Sequence, residues 1–178
     1  MRAFFAAWPD AGVCAALAAQ ARDIAAQARG RAPVAANLHL TLAFVGDAPP
    51  SRVAALCAIG EVAAAAGSSF HLTLDCGGMF RAAGIAWIGA SESPGELQRL
   101  VQELGVGLAA QGFALERRAF RPHITLARRC RTPAKITIAA PIDWAVGRIA
   151  LYASEPASGG PSYRELAGWP LGAPADDR

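Results

Sequence analysis

The only three histidines in the chain each open the same four-residue string: His39-Leu-Thr41-Leu, His71-Leu-Thr73-Leu and His123-Ile-Thr125-Leu. On an extended strand, residues i and i+2 share one face, while i+1 and i+3 take the other. Each imidazole therefore stands beside a threonine hydroxyl, and the Leu or Ile between them anchors the strand from behind. An imidazole titrates near neutral pH and can give or take a proton. A hydroxyl next to it can hold an oxygen on which charge develops. Two such strands facing each other would gather two imidazoles and two hydroxyls around one small pocket. That is equipment for moving protons beside fixed hydrogen-bond donors.

Other readings of these strings stay open at this point. Strands favour threonine and tolerate a polar face, so one string alone carries little weight. Three strings in a chain with no other histidine are harder to assign to a solvated face. A zinc site would normally show a short-spaced ligand pair on one element. Here the histidines lie 32 and 52 residues apart with no adjacent Cys or Glu. Cys14, Cys57, Cys76 and Cys130 form no C-x-x-C pair and read as small buried hydrophobes or bystanders.

The elements that must hold these residues follow from period and punctuation. Residues 2–8 read as a short apolar strand, and 10–28 as a helix begun at Asp10 and stopped at Gly30. The first motif lies on an alternating strand over 37–46, on which Phe44 could offer an aromatic surface but is expected in the core. A second alanine-rich helix covers 51–66. Strands at 70–75 and 84–90 flank a Gly77-Gly78 turn, and 94–111 reads as a third helix. The second motif lies on a strand at 122–128, 84 residues after the first, and two further strands are expected at 148–154 and 163–166. The succession predicts an α+β fold of two similar lobes, and the likeness of the two motif strands suggests internal duplication.

With 178 residues, the chain is long enough to bury a core without disulfide or metal support. Its 53% hydrophobic fraction is swollen by 43 alanines. No apolar run is long enough to span a bilayer, and MRAFFAAWPD meets Pro and Asp too early for a secretory leader, so a cytoplasmic location is expected. Lys135 is the only lysine among 17 basic residues. Arginine is suited to bidentate phosphate contact, and a net charge of +3 permits an acidic ligand.

Beyond the tetrapeptides, the chain resembles the two-histidine (2H) phosphoesterases, and within them the RNA 2′,3′-cyclic phosphodiesterases, also called 2′-5′ RNA ligases. The likeness runs through RAFFAAWP (2–9), NLHLTLAFVG (37–46), FRPHITLAR (120–128), LYASE (151–155), GPSY (160–163) and WPL (169–171) in order. It implies one bilobal domain over 1–178, two antiparallel-sheet lobes with flanking helices and a central cleft, and a disordered tail from about 172. The motif context (followed by F-x-G or preceded by R-P) fits His39 and His123, and makes His71 in FHLTLDCGGMF a decoy.

The resemblance further implies hydrolysis of RNA 2′,3′-cyclic phosphate ends to 2′-phosphomonoesters, with 2′-5′ ligation as the reverse. His39 would be proton donor and His123 acceptor, although the two strings are chemically symmetric. Thr41 and Thr125 would bind the phosphate, and Arg121 and Arg128 could touch phosphate or RNA. No metal or other cofactor, no membrane and no protein partner is implied, so a monomer is expected. Alternatives are another 2H branch acting on cyclic nucleotides or small cyclic phosphates, or a non-catalytic RNA-end binding module.

Overall fold

The computed structural model describes residues 1–116, 118–132, 135–157 and 160–173. The opening strand β1 (Arg2–Ala7) alternates its faces: Ala3, Phe5 and Ala7 enter the main core, while Phe4 and Ala6 join a small second cluster. Helix α1 (Ala11–Gln27) starts where Asp10 accepts a 2.9 Å bond from the Val13 N–H, the N-cap expected from the sequence. Its end differs from expectation. Arg29, not Gly30, takes the left-handed conformation (φ 48°), and the Gly30 N–H bonds back to Ala25 at 2.8 Å. Gly30 is needed for closeness instead, because a Cβ there would meet Cys130 Sγ at 2.9 Å and the Arg128 carbonyl at 3.0 Å.

After β2 (Leu40–Asp47) come α2 (Val53–Ala66), β3 (Phe70–Leu74), β4 (Cys76–Phe80), β5 (Ile85–Gly89), α3 (Gly95–Ala110), β6 (His123–Ala127), β7 (Ile142–Val146), β8 (Arg148–Ala157) and β9 (Gly160–Pro170). All strand pairings are antiparallel, in sheets ordered β2-β1-β8-β9, β4-β5-β6 and β3-β7. The α+β class and the antiparallel-sheet lobes are as expected. Helices α2 and α3 pack on the first sheet and on each other, whereas α1 crosses to lie against β6 and β7. Leu97, Leu100, Leu104 and Leu108 of α3 are all buried; truncating any one to Ala would cost about 2–5 kcal/mol.

Three expectations need correction. The lobes are not successive halves of the chain, because the first sheet joins β1 and β2 to the distant β8 and β9. Gly77-Gly78 is not a turn but the middle of β4, and Gly78 is opposite Trp87, whose indole occupies the space of the missing Cβ. Finally, the paired chain reaches further than expected. The Gly172 N–H bonds to Gly67 O at 3.1 Å, and Gly172 O accepts from Ser69 N at 2.8 Å. The rest of the expected tail, 174–178, lies outside the described residues. No helix among the described residues is long and apolar enough to cross a membrane.

Candidate active site

Strands β2 and β6 are edge strands of their sheets, they lie in contact, and they carry the first and second motifs. His39 immediately precedes β2 and His123 opens β6. Each imidazole is fixed in the same way. Nδ1 of His39 lies 2.8 Å from Asn37 O, and Nδ1 of His123 lies 2.8 Å from Arg121 O. A carbonyl can only accept, so each Nδ1 carries the proton and each Nε2 is left to exchange one. The charge on His123 and the charge on Arg128 both act on His39. The two motifs thus share one electrostatic environment across the cleft.

Thr41 is placed opposite Ala6 of β1, and Thr125 opposite Trp87 of β5. Both are half-buried, and among the described residues neither hydroxyl is spent on a partner within the protein. The third string is built otherwise. The Thr73 hydroxyl donates to Asp143 at 2.7 Å. His71 is exposed on β3, beside a groove of about 370 Å³ that also holds Asp75 and Glu92. Ser91 donates its N–H and hydroxyl to Asp75, holding that carboxyl below the usual range and ionised. Carboxylates beside His71 repel a phosphate, whereas arginines surround His123. The expected pair, His39 and His123, is brought together, and His71 is kept apart.

The electrostatics of the two imidazoles differ. Burial pushes His39 down to about 4, and Arg128 and His123 add to the depression, against the Asn37 hydrogen bond that raises it. His123 is also lowered, by burial first and then by Arg121, Arg118 and Arg128. Arg128 follows β6 directly, and its backbone exchanges two bonds with Arg31 (2.8 and 2.9 Å). Arg121 is exposed, with its guanidinium carbon 5.9 Å from the Trp87 ring centroid.

Several residues escape a reading of the sequence. Trp8 stacks on His39 with centroids 4.6 Å apart and planes 12° apart, and Phe4 and Tyr163 close around the same imidazole at 5.1 and 5.0 Å. On the other lip, Phe80 and Trp87 approach His123 edge-on at 5.1 and 6.2 Å. Phe44, expected in the core, is 56% exposed. The cause is an irregularity in the β1–β2 ladder, where Phe5 and Ala6 face Ala43 and Thr41, skipping Leu42. One extra residue reverses the alternation and turns Phe44 onto the face shared by Thr41 and Phe4. The four cysteines are free and only half-buried. No group of three or more His, Cys, Asp or Glu arranged to hold a metal ion occurs among the described residues.

This arrangement has known relatives. The sequence profile of the 2′-5′ RNA ligase superfamily matches residues 9–156. An RNA 2′,3′-cyclic phosphodiesterase of Escherichia coli is 37% identical over 145 residues, covering 80% of both chains. A protein of the same description from Geobacillus stearothermophilus is 38% identical over 151 residues, or 78% of this chain, which spans 47% of that protein's length. The apo crystal structure of Escherichia coli LigT has a TM-score of 0.85 and 33% identity, covering 96% of this chain and 97% of that one.

Proposed function

The chain belongs to the 2′-5′ RNA ligase superfamily, and from that premise we propose that it hydrolyses RNA 2′,3′-cyclic phosphate ends to 2′-phosphomonoesters. The observation that carries this reading is the pair of imidazoles on facing edge strands, each with Nδ1 held by the carbonyl two residues before it. Water attacks phosphorus as His123 takes its proton. The bond from phosphorus to the 3′ oxygen breaks, and His39 gives that oxygen a proton. Thr41 and Thr125 donate to the non-bridging oxygens, and Arg128, whose charge acts on both histidines, offsets the charge of the phosphate. Arg121 meets the RNA at its phosphate backbone and Phe44 stacks under a base, a reading supported by the exposure of both side chains.

Burial disfavours a proton on His39 in the free protein. The proton arrives with the substrate, because an anionic phosphate between the two rings raises the proton affinity of both. With a 5′ hydroxyl in place of water, the same steps open the 2′,3′-cyclic phosphate into a 2′-5′ linkage: His123 takes the hydroxyl proton and His39 gives one to the leaving 3′ oxygen. The reading is of one bilobal unit acting as a cytoplasmic monomer, without a metal or other cofactor.

The test is incubation of the protein, dialysed against EDTA, with a short RNA ending in a 2′,3′-cyclic phosphate, followed by location of the phosphate in the product. A 2′-phosphomonoester formed at full rate is expected. Binding without turnover would favour an RNA-end binding module, and activity restored only by zinc or manganese would overturn the metal-free mechanism.

A further inference from the structure

Three successive carbonyls of the short turn before the first motif each take a side-chain donor. Cys14 Sγ lies 3.4 Å from Ala35 O, Trp8 Nε1 donates to Ala36 O at 2.9 Å, and His39 Nδ1 to Asn37 O at 2.8 Å. The indole and the imidazole are thus hung from adjacent peptide units of one turn. Asn37 ties that turn to the start of β9 through a 2.7 Å bond to Pro161 O. Behind the indole lies the Tyr152 ring, with centroids 4.1 Å apart. Its hydroxyl donates to Glu165 at 3.0 Å, and Arg148 binds both oxygens of the same carboxylate. Tyr152, Trp8 and His39 therefore form one pile of rings drawn from β8, the end of β1 and the start of β2.

We propose that Trp8 is a positioning residue for His39: clamped between Tyr152 and the imidazole, it holds the ring with Nε2 available to substrate and stabilises its protonated form against the indole face. The proposal rests on the reading of His39 as a proton-transfer group. The physics is the attraction of a cation to an aromatic face, which grows when the pair is desolvated. It acts against burial and against the positive groups that face His39 from β6, namely Arg128 and His123. The hydroxyl of Tyr163, on β9, and the Tyr152–Glu165–Arg148 network complete the ionisable surroundings. Among the described residues His123 has no stacked partner: Phe80 and Trp87 meet it at 83° and 63°. The plate is therefore a property of one lip only.

Two measurements test this. An imidazolium quenches the fluorescence of an indole stacked on it, so emission of the parent should step down as His39 gains its proton. That step should vanish in both Trp8→Phe and His39→Asn, while Trp87, Trp144 and Trp169 continue to emit. In single-turnover assays Trp8→Leu should lower kcat about tenfold with KM within about twofold, and Trp8→Phe should recover most of the loss. Trp8→Leu should also shift the limb of the kcat pH profile that reports His39 to lower pH. A fluorescence step that persists in Trp8→Phe, or a Trp8→Leu protein with parental kcat and pH profile, overturns the proposal. The fluorescence step needs no turnover, so it stands or falls separately from the reaction. If Trp8→Leu fails to fold, Trp8→Phe and the titration still decide.

Discussion

His39 lies flat against Trp8 inside a ring of aromatic side chains, whereas His123 meets Phe80 and Trp87 edge-on and feels three arginines. The two strings have the same local chemistry, the same parity and the same Nδ1 tether. Burial is the first cause of depression at both, but His39 is depressed to about 4 with Arg128 and His123 acting on it, while Arg121, Arg118 and Arg128 act on His123. The lesson is that a four-residue motif sets which atoms are presented, while the packing around it sets how readily each holds a proton. The third string sharpens the point. His71 has the same neighbours in sequence, but its threonine is already engaged and carboxylates stand in its groove.

The strongest way to break the pairing of the two lips is to remove either imidazole. His39→Ala and His123→Ala should each lower kcat/KM by about 10²- to 10⁴-fold with unchanged circular dichroism. Robust turnover by either variant would end the two-histidine assignment. Next in size are the hydroxyls: Thr41→Val and Thr125→Val should each cost about 10²-fold in kcat, measured on the same cyclic-phosphate RNA. A large loss from one and none from the other would show that a single lip holds the phosphate.

The pH profile of kcat/KM reads the asymmetry directly. A protonated donor and a neutral acceptor give a bell whose limbs belong to the coupled pair. One limb should lie near 4 and the other below 6.5, because both histidines are lowered in the free protein. The kcat profile should sit higher, since bound phosphate favours both charged forms. A flat response between about pH 4 and 8 would mean that other groups move the protons.

Stability should follow the same imidazole. The folded protein resists protonating His39 until about 4, while the unfolded chain takes a proton near 6.5. The unfolded state therefore binds more protons between those values, and stability falls as pH drops through that window, by up to about 3 kcal/mol. His39→Gln should flatten the slope of Tm against pH over that range, and an unchanged slope would place its cause elsewhere. The smallest effect belongs to His71→Ala, which should leave kcat/KM within a few-fold; a collapse without unfolding would mean the wrong pair had been chosen.

The β6 string illustrates what was legible in sequence. Alternation around His123 and Thr125, with Ile124 and Leu126 buried behind, is a local property of an extended chain, so their common face followed from spacing alone. Asp10 as a cap and the leucine face of α3 were readable for the same reason. β7, a strand not expected from the sequence, also carries the alternating signal, with Ile142, Trp144 and Val146 buried between exposed residues.

Other features depended on partners far along the chain. Two glycines in β4 spell a turn until the Trp87 indole lies across Gly78. Phe44 belongs to the core by parity, and only the irregular pairing with β1 turns it outward. Trp8 reaches His39 because β1 and β2 pair antiparallel, with Ala7 opposite Leu40 at the end where both residues project. The residue types and their spacing along each strand set an imidazole beside a hydroxyl three times over, without choosing among the three. Which imidazole is stacked, which is ringed by arginines, and which is left in solvent were decided by sheet order and register, because those contacts join segments up to about 120 residues apart, as between His39 and Tyr163.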